Sequence, residues 1–308
     1  MSAATSMAAS RARFNTLPLL IALFCLLWSY AFVAGKIGVT DCPPLILLAA
    51  RFSLAGVLIL AISWLRRDQW DLTWRDAAVF AVLGVANNAL YLGLGYTGLK
   101  TVSAGLGALI VSANPVFTAM LAALFLGENM TSRKVIGLVL GIVGVAFIVW
   151  HRMSVGSDSP HGILFTLASL ASIVAGTVLF KLLAPKGSLW IGNGIQNMAG
   201  GLAVMPFAFT LSSVSDIVPS MRLAGAFAFL VLGGSILAYL LWFHLLKVCG
   251  ATAASAYHFL MPPLGMLFAY FVLGEHVEFR DLLGIVPVAL GIYLVTRPAA
   301  AAANRSMT

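Results

Sequence analysis

Polar and aromatic side chains recur within long apolar stretches of this chain, and their types suit the binding of a small organic solute. Asn88 and Tyr91 are three residues apart and share one face of a helix. Ser235, Tyr239 and Trp242 form a second stripe at helical spacing. Amides and hydroxyls can hold an ammonium or a carboxylate group, and aromatic rings can contact an apolar side chain. The candidate substrate-binding residues are Trp28, Asn88, Tyr91, Asn114, Tyr239, Trp242 and His258.

Each candidate also has an interpretation that involves no substrate. An asparagine inside a membrane can bridge two helices through hydrogen bonds, although for Asn88 and Asn114 we favour a place in a cavity. Trp28 and Trp242 lie too deep to be interfacial belt residues. Packing between helices explains these two tryptophans as well as substrate contact does.

Arg51 is the basic residue that lies well inside an apolar stretch. An arginine within a membrane is energetically expensive and is usually paired or functional. Two interpretations stay open. In the structural one, the side chain reaches the outer headgroups or caps helix carbonyls. In the functional one, it binds the carboxylate of a substrate.

Membrane helices must position these residues. Hydrophobic residues make up 61% of the 308 residues and charged residues only 9%, which is too little charge to cover a soluble protein of this size. Apolar stretches of ~18 residues or more, long enough to cross ~30 Å of hydrocarbon, recur along the chain. The first stretch is interpreted as a retained helix, because no obvious cleavage site follows it. The predicted fold is all-α integral membrane, with ten transmembrane helices at about 16–35, 45–65, 77–98, 101–126, 134–150, 162–183, 189–211, 224–246, 251–273 and 281–297.

An internal repeat organises these stretches. Residues 88–148 align with residues 235–295 at a shift of 147 positions. The front of each half aligns more weakly at a shift of 145, where Lys36 meets Lys181. The predicted units are a first repeat at 1–153, a second repeat at 154–298 and a cytoplasmic tail at 299–308.

The repeat predicts an inverted arrangement around a central site. Each copy holds five spans, an odd number, so the second copy lies upside down in the membrane relative to the first. Inverted-topology repeats in transporters surround a substrate site and exchange conformations, which gives alternating access. Pro115 and Pro262 occupy equivalent places in the two copies and are candidate hinges, with a simple helix kink as the alternative.

The distribution of basic residues predicts the orientation. With the N-terminus taken as cytoplasmic, the inside loops and tails carry twelve basic residues and the outside loops carry five. This asymmetry follows the positive-inside rule and places both termini in the cytoplasm. The net charge of +8 is therefore mostly a topology signal, with the headgroups of the lipid bilayer rather than nucleic acid as its partner.

The sequence offers no catalytic or metal-binding constellation. The three cysteines lack paired spacing, and no H-E-x-x-H, G-x-S-x-G or phosphate-loop pattern occurs. We therefore expect no enzyme activity, no cofactor and no metal. All ten acidic residues fall in loops or at helix ends, whereas many proton-coupled transporters carry a carboxylate at membrane depth. Only histidines such as His258 and His244 could titrate inside the bundle, which favours facilitated or weakly coupled transport.

The residues that punctuate the repeat resemble a known family. Tyr96-Thr-Gly-Leu-Lys100, followed by Asn114-Pro115-Val-Phe and Leu126-Gly127-Glu128, is similar to the pattern of the EamA family of the drug/metabolite transporter superfamily. The second copy ends in Met261-Pro262-Pro263 and Leu273-Gly274-Glu275. The resemblance covers nearly the whole chain. It implies a ten-helix bundle whose central cavity is lined mainly by helices one, three, four, six, eight and nine. It also implies efflux of small metabolites, commonly amino acids. Within the family, the resemblance is to the aromatic amino-acid exporters.

Charge narrows the substrate class. A carrier of phosphorylated solutes needs fixed positive charge in its cavity, and apart from Arg51 no lysine or arginine lies at mid-membrane depth. An aromatic and amide-lined cavity suits a zwitterion with an apolar side chain. We hypothesise export of neutral, hydrophobic or aromatic amino acids across a bacterial inner membrane, by a protein that can act as a monomer because ten helices already close a cavity. A proton-coupled multidrug or quaternary-ammonium exporter is the alternative, and an intramembrane enzyme or a helical scaffold stays open as a different class.

Overall fold

The computed structural model describes residues 2–127, 130–155, 158–275 and 279–296. These residues form helices and no strand, as backbone groups inside a bilayer require, because each N–H and C=O must find its partner within the protein. The predicted tail at 299–308 and Glu128 lie outside the described residues. The helical segments, some of which contain irregular turns, are α1 (Ser2–Asp41), α2 (Pro44–Leu65), α3 (Trp74–Leu99), α4 (Ala104–Leu126), α5 (Ser132–Val155), α6 (Pro160–Leu183), α7 (Leu189–Leu211), α8 (Met221–Cys249), α9 (251–273) and α10 (Phe279–Thr296).

The membrane character of the chain is confirmed. Six of the described segments are long and apolar enough to cross a membrane, and Pro263–Leu273 within α9 is a shorter apolar helix. The six spans are Thr16–Asp41 of α1, together with α2, α3, α4, α6 and α8. Large apolar side chains such as Leu124 and Phe271 are more than two-thirds exposed, as expected for helix faces that meet lipid.

Helix ends follow local sequence signals. The Ser103 hydroxyl accepts a hydrogen bond from the backbone N–H of Leu106 and caps α4, so the helix begins at Ala104 although apolar sequence starts at residue 101. α4 and α9 end at Gly127 and Gly274, whose φ angles of 68° and 67° are left-handed and favour glycine. These two glycines come from the repeated Leu-Gly-Glu motif, so equivalent motifs end equivalent helices.

Four helices are irregular at places that the repeat relates. Residues 84–92 of α3 and 230–238 of α8 are π-helical, in nearly the same register at a shift of 147. α4 is interrupted by a turn at Ser112 and Ala113, and α9 by a 3₁₀ turn at Tyr257–Leu260. Irregular turns of these kinds inside helices often mark functional sites.

The packing of α2 against α7 is reciprocal. A Cβ added at Gly56 would lie 2.9 Å from the backbone nitrogen of Met198, and one added at Gly201 would lie 2.9 Å from that of Ser53. Gly56 and Ser53 align with Gly201 and Met198 at a shift of 145, so each repeat offers the other the same surface. Reciprocal contacts of this kind are what a two-fold relation produces. The glycines let the two backbones approach closely, and α5 packs along α10 as a second pair of repeat-equivalent helices.

Candidate functional site

The structure places Arg51 in the interior of the bundle. Its side chain is only 2% exposed, its Nε donates a 2.8 Å hydrogen bond to Ser235 Oγ, and its Nη1 donates one of 2.8 Å to the Tyr96 hydroxyl. A Cβ at Gly234 would lie 2.7 Å from Nη2. The π-helical part of α8 therefore provides both an acceptor for the guanidinium and the space that it fills.

No carboxylate neutralises this guanidinium within the part of the chain that the structure describes. Besides its two hydroxyl acceptors, the guanidinium carbon lies 5.3 Å from the ring centroid of Phe52 and 5.8 Å from that of Tyr96. Such cation–π contacts stabilise a desolvated cation only in part. A buried charge without a counter-ion is costly, so Arg51 is a candidate to bind an anion.

A small central cavity adjoins Arg51. Its volume is about 30 Å³, which is room for a water molecule or two rather than for a solute. The cavity is lined by Trp28, Ala31, Phe32, Arg51, Tyr91, Leu92, Tyr96, Gly234, Ala238 and Tyr239.

Four of the residues predicted from sequence meet in this lining, namely Trp28, Arg51, Tyr91 and Tyr239. The lining comes from α1, α2, α3 and α8. Among the described residues, no lining residue comes from α4, α6 or α9, which the family resemblance also implied.

Trp242 and His258 lie behind the cavity, in an aromatic cluster with Phe24, Trp28 and Tyr239. The ring of Trp242 stacks on Phe24 at 5.7 Å and meets His258 edge-on at 4.8 Å. Trp28 lies 5.4 Å from His258 and 5.3 Å from Tyr239. The cluster thus holds Trp28 and Tyr239 in place. The Nδ1 of His258 lies 3.2 Å from the Ser255 carbonyl oxygen, and its Nε2 is buried without a partner among the described residues.

Asn88 belongs to a buried chain of amides that joins α3 to α7 and α8. Its Nδ2 donates to Asn197 Oδ1 at 3.2 Å, and its Oδ1 accepts from Gln196 Nε2 at 3.2 Å. Asn197 Nδ2 reaches the Ser235 carbonyl oxygen at 3.3 Å, and Asn193 Nδ2 donates to the same oxygen at 3.0 Å. Ser235 therefore connects the amide chain to Arg51. The polar residues Asn193, Gln196 and Asn197 of α7 are thus the partners of Asn88 and Ser235.

The Arg51 contact has a counterpart in the other repeat. Arg51 aligns with Gln196 at a shift of 145, and Asn88 aligns with Ser235 at a shift of 147. The pair Arg51–Ser235 is thus matched by the pair Gln196–Asn88, each joining one repeat to the other. The arrangement is nearly symmetric in geometry, but only the first pair carries a charge.

Asn114 and the two prolines lie at the helix breaks. Asn114 Oδ1 accepts a 2.7 Å hydrogen bond from Thr118 Oγ1, and its Nδ2 is buried without a partner in the described residues. Pro115 and Pro262 fall in the first turn of the helix that restarts after each break. A proline costs little there, because the first N–H groups of a helix have no intrahelical acceptor.

Charged side chains clamp the turn between α3 and α4. Lys36 Nζ of α1 donates to the carbonyl oxygens of Leu99 and Val102, at 2.7 Å each. Glu275, which follows α9, accepts from the backbone N–H groups of Ala104 at 2.9 Å and of Gly105 at 3.2 Å. Lys36 thus binds one carbonyl at the end of α3 and one within the turn, and Glu275 caps the start of α4.

The clamp has a further contact and a partial counterpart. Asp158, at the start of α6, accepts from the backbone N–H of Ser103 at 2.6 Å. Lys181, the repeat equivalent of Lys36, donates to the Leu246 carbonyl oxygen at 3.5 Å, and Leu246 is the repeat equivalent of Leu99. In the sequence, Lys36 and Lys181 were paired only by the repeat alignment. That alignment was the signal for a shared structural role.

Known proteins match most of the length of the chain. The EamA-like transporter family matches it twice, at residues 16–150 and 160–297. The chain is similar to an uncharacterized transporter of Archaeoglobus fulgidus, with 26% identity over 279 residues, 91% of this chain and 98% of the relative. It is also similar to the uncharacterized transporter YvbV of Bacillus subtilis, with 29% identity and 90% of each chain covered.

Two further matches agree. The uncharacterized inner membrane transporter YedA of Escherichia coli K12 is 27% identical over 289 residues, 91% of each chain. A solved crystal structure superposes with a TM-score of 0.68 at 17% identity, covering 90% of this chain and 96% of the other, and so shares the fold. The resemblance predicted from sequence is confirmed: the chain belongs to the EamA-like transporter family and is a multi-pass membrane transporter of that type.

Proposed function

We propose that this transporter exports neutral aromatic amino acids across a bacterial inner membrane by facilitative alternating access. The observation that supports this proposal is the buried, unneutralised guanidinium of Arg51 beside a cavity walled by Trp28, Tyr91 and Tyr239. The guanidinium fork suits a carboxylate, and the rings suit an aromatic side chain. Cation–π contact with Trp28 would hold the ammonium group, for ~1–2 kcal/mol if desolvated.

The proposed architecture is ten membrane spans in two inverted repeats, with both termini in the cytoplasm. The reciprocal contacts Gly56–Met198 and Gly201–Ser53 support a two-fold relation between the repeats. The distribution of basic residues supports the orientation. The name of the relative YedA supports the inner membrane as the location. One chain holds both repeats, so a monomer in the lipid bilayer is sufficient.

The alternative, efflux of cationic drugs or quaternary ammonium compounds, fits the cavity less well. Its aromatic walls would accept such a cation. The charged side chain among the lining residues is positive, however, and would repel it at short range.

Uptake into proteoliposomes of the purified protein tests the proposal. Radiolabelled phenylalanine, tyrosine, tryptophan, leucine and alanine would be compared with a quaternary ammonium compound, with and without a pH gradient. We expect saturable flux of the aromatic amino acids that does not require the gradient. Flux of the cation alone, driven by the gradient, would contradict the proposal and favour the drug exporter.

A further inference from the structure

The guanidinium of Arg51 has binding capacity that the described protein does not use. A guanidinium carries five N–H donors, and the structure assigns two of them, to Ser235 Oγ and to the Tyr96 hydroxyl. Its Nη2 lies where Gly234 leaves room for it. Because Arg51 is among the residues that line the central cavity, the remaining donors are available to an anion there.

The groups around the cavity that could accept a hydrogen bond from an ammonium are neutral phenols. The Tyr96 hydroxyl oxygen already accepts from Arg51, and the Tyr239 hydroxyl donates to the Asn87 carbonyl oxygen at 3.1 Å. Among the described residues, the cavity lining contains no carboxylate. Asp158 and Glu275 point instead at the backbone of the α3–α4 turn. A substrate ammonium would therefore meet ring faces and phenols, but no negative charge.

The net charge of the occupied site also favours a monoanion over a zwitterion. A monoanion would neutralise the buried cation, and the pair would then be stabilised by the low dielectric of the interior. A zwitterion would add its own positive group near Arg51, so the occupied site would keep a net positive charge away from water. The carboxylate of an amino acid is thus the group that matches the charge of Arg51, while its amino group adds no charge complementarity beyond the ring contact.

We propose that the site recognises an aromatic carboxylate and does not require an α-amino group, so that 2-oxo acids and 3-arylpropionates are ligands of the same site. This inference rests on the proposed function, because it takes the Arg51 cavity as the substrate site. It extends the substrate class from aromatic amino acids to aromatic monocarboxylates.

Competition with a matched set of compounds tests the inference. Counterflow of labelled phenylalanine in proteoliposomes would be measured against phenylpyruvate, 3-phenylpropionate and phenethylamine, and binding of each compound would be followed by tryptophan fluorescence of the detergent-solubilised protein. We expect both carboxylates to compete at least as well as unlabelled phenylalanine, and phenethylamine to fail at tenfold higher concentration. Phenylalanine counterflow that neither carboxylate inhibits would overturn the inference and leave the proposed function intact. If no compound binds and phenylalanine is not carried, the proposed function fails with it.

Substitutions of Arg51 and of its neighbour Gly234 provide a second test of the inference. Arg51→Gln should weaken phenylpyruvate binding by about 30-fold or more, as truncation of one partner of a buried charge pair does. Arg51→Lys should recover only part of that loss, because an ammonium lacks the fork. Arg222→Gln is the matched control, since Arg222 is exposed and lies 4.0 Å from Asp41. In Gly234→Ala, the added methyl group would displace the guanidinium without removing its charge. This variant still tests the inference if Arg51→Gln fails to fold. Phenylpyruvate binding that is unchanged in the folded variants would overturn the inference.

Discussion

The guanidinium of Arg51 lies in the centre of the bundle, where its neighbours take up part of its hydrogen-bonding capacity and none of them neutralises it among the described residues. Two hydroxyl oxygens accept its hydrogen bonds, and its carbon lies 5.3 Å from the ring centroid of Phe52. A transporter gains from such an arrangement, because a fixed counter-ion would compete with the substrate for the same donors. The unneutralised charge of Arg51 is thus well suited to recognise an anion.

The two tryptophans predicted for the site separate into different roles at the residue scale. Trp28 lines the cavity, whereas Trp242 is 1% exposed and packs between Phe24 and His258. Trp28→Ala should lower the apparent affinity for substrate, and because Trp28 also packs against Phe24 and Tyr239 it should lower the thermal stability of the detergent-solubilised protein as well. Trp242→Ala should destabilise the protein by about 3–5 kcal/mol, as for other large-to-small core substitutions, and should leave the apparent affinity of the folded protein for substrate nearly unchanged.

Thermal unfolding and substrate titration of both variants would separate the roles. Trp64→Ala is the control, because that ring is 73% exposed. A stable Trp242→Ala protein with weakened substrate binding would contradict this division and return Trp242 to the site.

Among the helices, α4 depends on a charged side chain from another element. Glu275 accepts from two N–H groups at the start of α4 and faces the positive end of the helix dipole. Glu275→Gln should therefore destabilise the folded protein by about 1–2 kcal/mol, the range measured for helix caps. Differential scanning fluorimetry in detergent would measure this loss of stability.

Asp41→Asn is the control. Asp41 accepts a hydrogen bond from Ser220 and, among the described residues, has no hydrogen bond with the α3–α4 turn. Equal melting temperatures for wild type and Glu275→Gln would show that the cap contributes nothing.

The breaks in α4 and α9 make Pro115 and Pro262 candidates for hinges. Alanine at either position restores a backbone N–H and stabilises a continuous helix across the break, which resists bending. Pro115→Ala and Pro262→Ala should each slow counterflow several-fold, with little change in substrate affinity. Pro206→Ala in α7 is the control, because that proline lies inside a helix without a break. Unchanged flux in both variants would leave the prolines with a packing role only.

At the scale of the whole molecule, inverted repeats place equivalent links on opposite sides of the membrane. Gln69 lies in the link between α2 and α3 and Ser213 in the link between α7 and α8, and both side chains are exposed. In a background without Cys25, Cys42 and Cys249, Gln69→Cys should react with an impermeant maleimide only from the cytoplasmic side. Ser213→Cys should react only from the outside. Labelling of intact cells and of inverted vesicles measures both, and reaction of the two positions from the same side would exclude the inversion.

Parts of the site were predictable because helical periodicity is a local property. The spacing of Asn88 and Tyr91 predicted a shared polar face on α3, and the structure buries both side chains. It did not indicate that Tyr91 meets the cavity while Asn88 bonds to Gln196 and Asn197 of α7. Both residues lie in the π-helical part of α3, whose turn differs from that of the α-helix assumed for the spacing. Gly234 and Tyr96 were not predicted as parts of the candidate site, because their importance comes from Arg51, a residue of another helix.

The amino-acid sequence by itself determined the all-helical membrane class, the family and the presence of a repeat. These depend on the length of apolar stretches and on matched punctuation, which are properties of segments. Only the tertiary structure decided which polar groups meet at the centre, that Arg51 is buried against Ser235 and Tyr96, and that Lys36 and Glu275 clamp the α3–α4 turn. The physical reason is that each of these contacts joins residues far apart in the chain, and a contact between helices is set by how the helices pack rather than by the pattern within either one.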